Sequence, residues 1–104
     1  MSKYHARRTQ TSDGVWHDSQ KEAMRWDELR LLHRAGAIQD LRRQVRYEVI
    51  PKQEGERAVY YVADFVYKEN GKEVVEDCKG YRTDVYKLKR KLMMLVYGIK
   101  ILET

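Results

Sequence analysis

Two runs of β-forming residues, "AVYYVADFVY" and "EVVEDCK", are joined by a polar link that contains Asn70-Gly71. β-Branched and aromatic side chains fit the half-buried surface of a sheet, and Asn-Gly accepts the positive φ angles of a tight turn. The pair therefore predicts an antiparallel hairpin. Asp64 is an anomaly within it, because it stands between Ala63 and Phe65 in the middle of the aromatic run. A carboxylate there is costly unless it is paired or bound to something. The turn falls nearly midway between Asp64 and Asp77, so pairing brings these two acids roughly opposite each other. Facing carboxylates repel, and they need a cation between them or a proton on one of them. Oxygen ligands in this number suit Mg²⁺, with Mn²⁺ as a substitute.

Alternation sorts the charges of "EDCK". Val75, Asp77 and Lys79 point to one face, and Val74, Glu76 and Cys78 to the other. Lys79 then projects beside Asp77. There it can orient a metal-bound water or offset charge on a phosphate. The competing reading is a plain cross-strand salt bridge at a sheet edge. Glu76 has three readings: a solvated residue, a partner for a lysine of the second helix, or a ligand if a bulge shifts the phase. Cys78 is the only cysteine, which excludes an internal disulfide and a thiolate zinc site. It reads as a small residue behind the site rather than a nucleophile.

The remaining elements follow from period and caps. "DSQKEAMRWDELRLLHRAG" predicts a helix, with Ser19 and Glu22 at capping-box spacing and Gly36 past its end. Glu22, Trp26, Leu29 and His33 share its expected stripe, with Leu32 beside them. His5, His17 and His33 form no spaced metal set, and His33 suits the helix end. "QVRYEVIP" predicts a strand ended by Pro51, with "KQEGER" as the turn that follows. "TDVYKLKRKLMMLVYG" predicts a second helix, with Val85, Leu88, Leu92 and Leu95 as the core-facing stripe. "IKILE" is a last short strand. Asp13-Gly14 predicts a small hairpin ahead of the first helix. The expected class is α/β, with a mixed four-stranded sheet flanked by two helices.

The chain has 104 residues, which suits one domain. Residues 1–18 read as a basic arm and hairpin, and 19–104 as the domain proper. Hydrophobic residues at 42% and charged residues at 36% favour a solvated globule over disorder. There is no apolar run of membrane-spanning length and no apolar secretory leader, so a cytoplasmic protein is expected. A net charge of +5 suits a polyanionic partner such as DNA. Arg7 and Arg8 of the arm, with Lys3, are candidate DNA contacts. Tyr86 and Lys89 on the second helix are candidates for the phosphate backbone, while Lys87, Arg90 and Lys91 read as its solvated face.

Asp64 followed by Asp77-Cys78-Lys79, set in the order αβββαβ, resembles the signature of the PD-(D/E)XK nuclease superfamily, whose core is restriction-endonuclease-like. The likeness runs from Ser19 to Glu103. The run "SQKEA…LRLLHRAGAIQDL…YVADFVY…VVEDCKG…YKLKRKL" looks like a family of small phage and prophage proteins placed there, related to Holliday-junction resolvases and transposon-end nucleases. The resemblance implies that Asp64 and Asp77 are metal ligands, that the carbonyl of Cys78 completes the site, and that Lys79 is the catalytic lysine. It implies that Glu22 binds or positions a second metal or its water, although Glu22 also serves as a capping residue. Ala63 departs from the proline of the superfamily's name. The glutamine-tyrosine helix motif of recombination exonucleases is missing, which points away from that branch. The implied function is a Mg²⁺-dependent DNA endonuclease acting in phage recombination, replication or processing, in the host cytoplasm if phage-encoded. A homodimer is implied because paired cuts need two sites. The alternative is a nucleic-acid-binding module of the same fold without turnover.

Overall fold

The computed structural model describes residues 7–79 and 81–104. The readings placed on Lys3 and His5 lie outside the described residues. Strands β1 (Thr9–Gln10) and β2 (Trp16–His17) form an antiparallel hairpin. Its turn carries Gly14 at φ +85°, and Thr11 N donates to the Val15 carbonyl at 3.0 Å. Asp13 ties the hairpin to the next element, because Trp26 Nε1 donates to its Oδ2 at 2.9 Å.

Helix α1 spans Gln20–Arg34. Ser19 Oγ accepts from Glu22 N at 3.1 Å, while the Glu22 carboxylate reaches back to Asp18 N at 3.1 Å. The capping box is therefore displaced by one residue on its return leg. Glu22, Ala23, Trp26 and Leu29 are buried. The expected stripe stops at Leu29, since His33 and Leu32 are exposed. The chain turns at Gly36, and Ile38 instead joins Leu29 in the core.

Strands β3 (Gln39–Ile50), β4 (Val59–Glu69) and β5 (Lys72–Asp77) follow, then helix α2 (Asp84–Tyr97) and β6 (Leu102–Glu103). The sheet order is β3-β4-β5-β6, antiparallel except for the parallel β5–β6 pair. This is the expected mixed sheet with two helices. β3 starts at Gln39 rather than Gln44, with Asp40 and Gln44 at φ +53° and +54°. Those two left-handed positions interrupt the alternation and hide the front of the strand from pattern reading. β5 stops at Asp77, short of the expected Lys79.

The core has two parts. Trp26, Leu29, Ile38, Phe65 and Tyr67 form one, with Val74 against it. Val49, Tyr61, Ala63, Val66, Val75, Tyr86, Met93 and Ile101 form the other. Phe65 and Tyr67 share strand parity with Ala63 and Tyr61, yet the two pairs pack in different clusters. Alternation along β4 thus changes phase at Asp64. Asp64 lies where β3 carries Gln44, between the pairs Arg43↔Phe65 and Val45↔Ala63.

α2 departs from the expected rotation. Tyr86 and Met93 are its buried residues. Val85, Leu88 and Leu95 are 61%, 56% and 80% exposed, and Leu92 is half-buried. Its tyrosines explain the turn. Tyr86 OH donates to Glu103 Oε2 at 2.7 Å, and Tyr97 OH donates to the Glu48 carbonyl at 2.7 Å. These bonds give the tyrosines polar partners at the sheet and rotate the apolar stripe away from it.

Candidate functional site

The β4–β5 ladder pairs Phe65 with Glu76, and one further step sets Asp64 beside Asp77. Asp77 is fully buried. Tyr61 OH donates to its Oδ2 at 2.5 Å. Lys79 Nζ lies 3.1 Å from Oδ1, but its direction makes no hydrogen bond. Oδ1 is therefore faced by a cation and still has no hydrogen-bond partner. Asp64 Oδ2 accepts from Cys78 N at 2.8 Å, which joins the two strands at the acids. Thr104 N donates to the Asp77 carbonyl at 3.0 Å and holds β6 against the same residue.

Burial, followed by the charge of Asp77, pushes the Asp64 pKa up to about 8. The Cys78 amide and the Lys79 ammonium pull it down without offsetting this. Burial and the Asp77 carboxylate likewise push the Tyr61 hydroxyl up, so it remains a donor. A raised carboxyl pKa favours the folded state at low pH. That contribution is full below about 4, the ordinary carboxyl value, and is lost as pH rises through about 8. Asp64→Asn should flatten the fall in urea midpoint between pH 5 and pH 8. An unchanged slope would show that Asp64 is not the group responsible.

Lys79 has a defined support. Its ammonium lies 4.9 Å from the centroid of the Tyr86 ring, within cation–π range. Tyr86 is in turn held by Glu103, whose Oε2 also meets Arg82 Nε and Arg90 at 3.1 Å each. The Tyr86 bond leads the causes that hold the Glu103 pKa down at about 2, with both arginines adding to it against its burial. Tyr86 is 6% exposed. It therefore does not face a phosphate backbone as expected, and forms the floor under Lys79. Lys89 is half-buried and lines, with Lys79, Tyr61 and Thr83, a shallow recess of about 240 Å³.

Glu22 is buried close enough for its charge to raise the Asp64 pKa. Its hydrogen bonds, however, are those of the cap. Among the described residues, no three His, Cys, Asp or Glu side chains are grouped closely enough to hold a metal ion. The structure thus brings Asp64, Asp77 and Lys79 together and leaves Glu22 outside the immediate cluster. The Asp64–Asp77 pair suits a cation that keeps several waters, and Asp77 Oδ1, which accepts no hydrogen bond and faces only the Lys79 ammonium, is the oxygen such a cation would share. The Cys78 side chain points to the opposite side, where it lines a recess with Lys21 and Met24. Burial pushes its thiol pKa up, so it is no thiolate.

Glu76 takes none of the three roles foreseen for it. It is fully buried against α1, where Arg25 Nε and Nη2 donate to its two oxygens at 2.9 and 2.7 Å. Tyr67 OH and Thr104 Oγ1 also donate to it. The bonds to Glu76 lead the causes that raise the Arg25 pKa. Arg25, Tyr61, Glu103 and Thr104 were all missed in the sequence. Each acts across elements, and Tyr61 lies on the far side of the phase change from Asp64. Arg7 and Arg8 are exposed, and Arg8 lies 5.2 Å over the Trp16 ring.

These features define an α/β domain with a lysine, a buried Asp77 and a half-buried Asp64 at the free end of its central hairpin. A family model described as "Protein of unknown function (DUF1064)" matches residues 1–102, and the chain belongs to that family. No curated protein and no solved structure matches it. No described helix is long and apolar enough to cross a membrane.

Proposed function

We propose that the chain is a Mg²⁺-dependent DNA endonuclease of the PD-(D/E)XK type. The observation that carries this reading is the half-buried Asp64 beside the fully buried Asp77, whose Oδ1 accepts no hydrogen bond and is faced by Lys79 at 3.1 Å. Held by Asp64 and Asp77, Mg²⁺ (or Mn²⁺) would supply positive charge for a phosphate oxygen and an acidified water. Lys79, set on the Tyr86 ring, orients the attacking water or stabilises charge on the phosphate. Tyr61 fixes the rotamer of Asp77. Glu22 lies near enough to bias the protonation of Asp64, and its contribution to catalysis is electrostatic. The exposed arm residues Arg7 and Arg8 supply positive charge for the DNA backbone.

One observation favours a second reading. Lys79 already neutralises Asp77, and no third ligand is grouped with the two acids among the described residues. A nucleic-acid-binding module that uses the fold without turnover would look like this. The test is incubation with supercoiled, linear, single-stranded and branched DNA, with Mg²⁺, Mn²⁺ or chelator, for wild type, Asp64→Ala and Lys79→Ala. Metal-dependent cutting lost in both variants supports the enzyme. Binding without cutting in either metal would leave the module, and cutting in both variants would place the site elsewhere.

A further inference from the structure

Val85, Leu88, Leu92 and Leu95 repeat at intervals of three, four and three residues on α2. That is the a/d spacing of a two-heptad seam. α2 spends a different face on the sheet, through Tyr86, Met93 and Tyr97. Val85, Leu88 and Leu95 are left outside, with Leu95 80% exposed, while Leu92 is half-buried at the edge of the core. A contiguous apolar patch of this kind marks an interaction surface.

The charges beside the seam select its occupant. With Val85 and Leu92 at a, Asp84 and Lys91 fall at g, and Lys89 falls at e. Neither Asp84 nor Lys89 has an ion-pair partner among the described residues. In a parallel pair of helices, g of one chain meets e of the next heptad on the other. Two copies of α2 packed in parallel would therefore place Asp84 against Lys89 of the second copy, twice. An antiparallel pair would bring Lys89 against Lys89 and Lys91 against Lys91, which is repulsive. Two heptads are marginal for free helices. Here α2 is already ordered by its own domain, so that cost does not recur on pairing.

We infer that a second copy of this chain covers the seam, in a two-fold dimer whose α2 helices run parallel. The pairing does not depend on the nuclease reading. It places both Lys79 clusters at the same end of the dimer, because Lys79 sits on Tyr86 in the first turn of α2.

Sedimentation velocity of the full chain over a concentration series, in chelator, tests the inference. The expected result is a monomer–dimer equilibrium. Leu95→Glu should raise its dissociation constant by about a hundredfold or more, with the far-UV circular dichroism unchanged. Asp84→Lys should weaken the dimer, and Asp84→Lys with Lys89→Glu should restore it. Wild type that stays monomeric throughout would overturn the dimer and leave the seam to a different protein. A dimer indifferent to Leu95→Glu would place the interface elsewhere. Failure of the charge swap to restore pairing would overturn the parallel arrangement.

Discussion

Lys79→Ala should lower Mg²⁺-dependent DNA cleavage by about a hundred- to a thousandfold, the usual cost of removing one preorganised charge from a reacting centre. The same substitution should not abolish Mg²⁺ binding. Lys79 is the cation that faces Asp77 Oδ1, so its removal frees that oxygen for the metal. A ligand that binds only the folded chain raises its stability. Mg²⁺ should therefore raise the urea midpoint of Lys79→Ala at least as much as that of wild type. Asp64→Asn should lose that rise together with cleavage. The two measurements separate a lysine that acts on the reacting groups from one that merely completes a salt bridge. Undiminished cleavage by Lys79→Ala would remove Lys79 from the mechanism. Loss of the Mg²⁺-induced shift in that variant would assign it to holding the metal site together.

The second large effect concerns stability. Arg25→Ala should destabilise the fold by about 3–5 kcal/mol, because it leaves a buried carboxylate without its partner. Glu76 is fully buried, and Arg25 grips both of its oxygens. Such a loss is a large part of the roughly 5–15 kcal/mol that keeps a domain folded. Removing both charges should cost far less. Arg25→Met with Glu76→Gln keeps an acceptor for Tyr67 OH and leaves no buried ion, so urea denaturation should return most of the lost stability. If the double variant is as unstable as the single one, the charge pair is not what makes the site sensitive. If Arg25→Ala is neutral, Tyr67 and Thr104 suffice for Glu76.

The hairpin around Asn70-Gly71, both helices and the order of elements were legible because each rests on local signals. These are turn chemistry, caps and period. The split of Asp77 and Lys79 from Glu76 and Cys78 was legible for the same reason, as alternation needs only parity. What was not legible depends on contacts between elements. Apolar spacing alone points the α2 stripe at the core, because it says that a face is buried and cannot say against what. Tyr86 and Tyr97 decided the rotation through partners distant in sequence, Glu103 and Glu48. Glu76 could not be assigned from its strand, because its partner Arg25 lies on α1. The positive φ at Gln44 broke the pattern that would have revealed the front half of β3.

The change of phase at Asp64 has a mechanical meaning. A strand that kept one phase would offer each helix a full-length wall. β4 instead gives its Val66, Ala63 and Tyr61 to one helix and its Phe65 and Tyr67 to the other. Each helix thus seals its own compartment, and Asp64 sits at the partition between them. Separately packed clusters of this kind are the units along which domains open locally. The acids stand on that dividing wall, with Asp77 bonded to Tyr61 of one compartment.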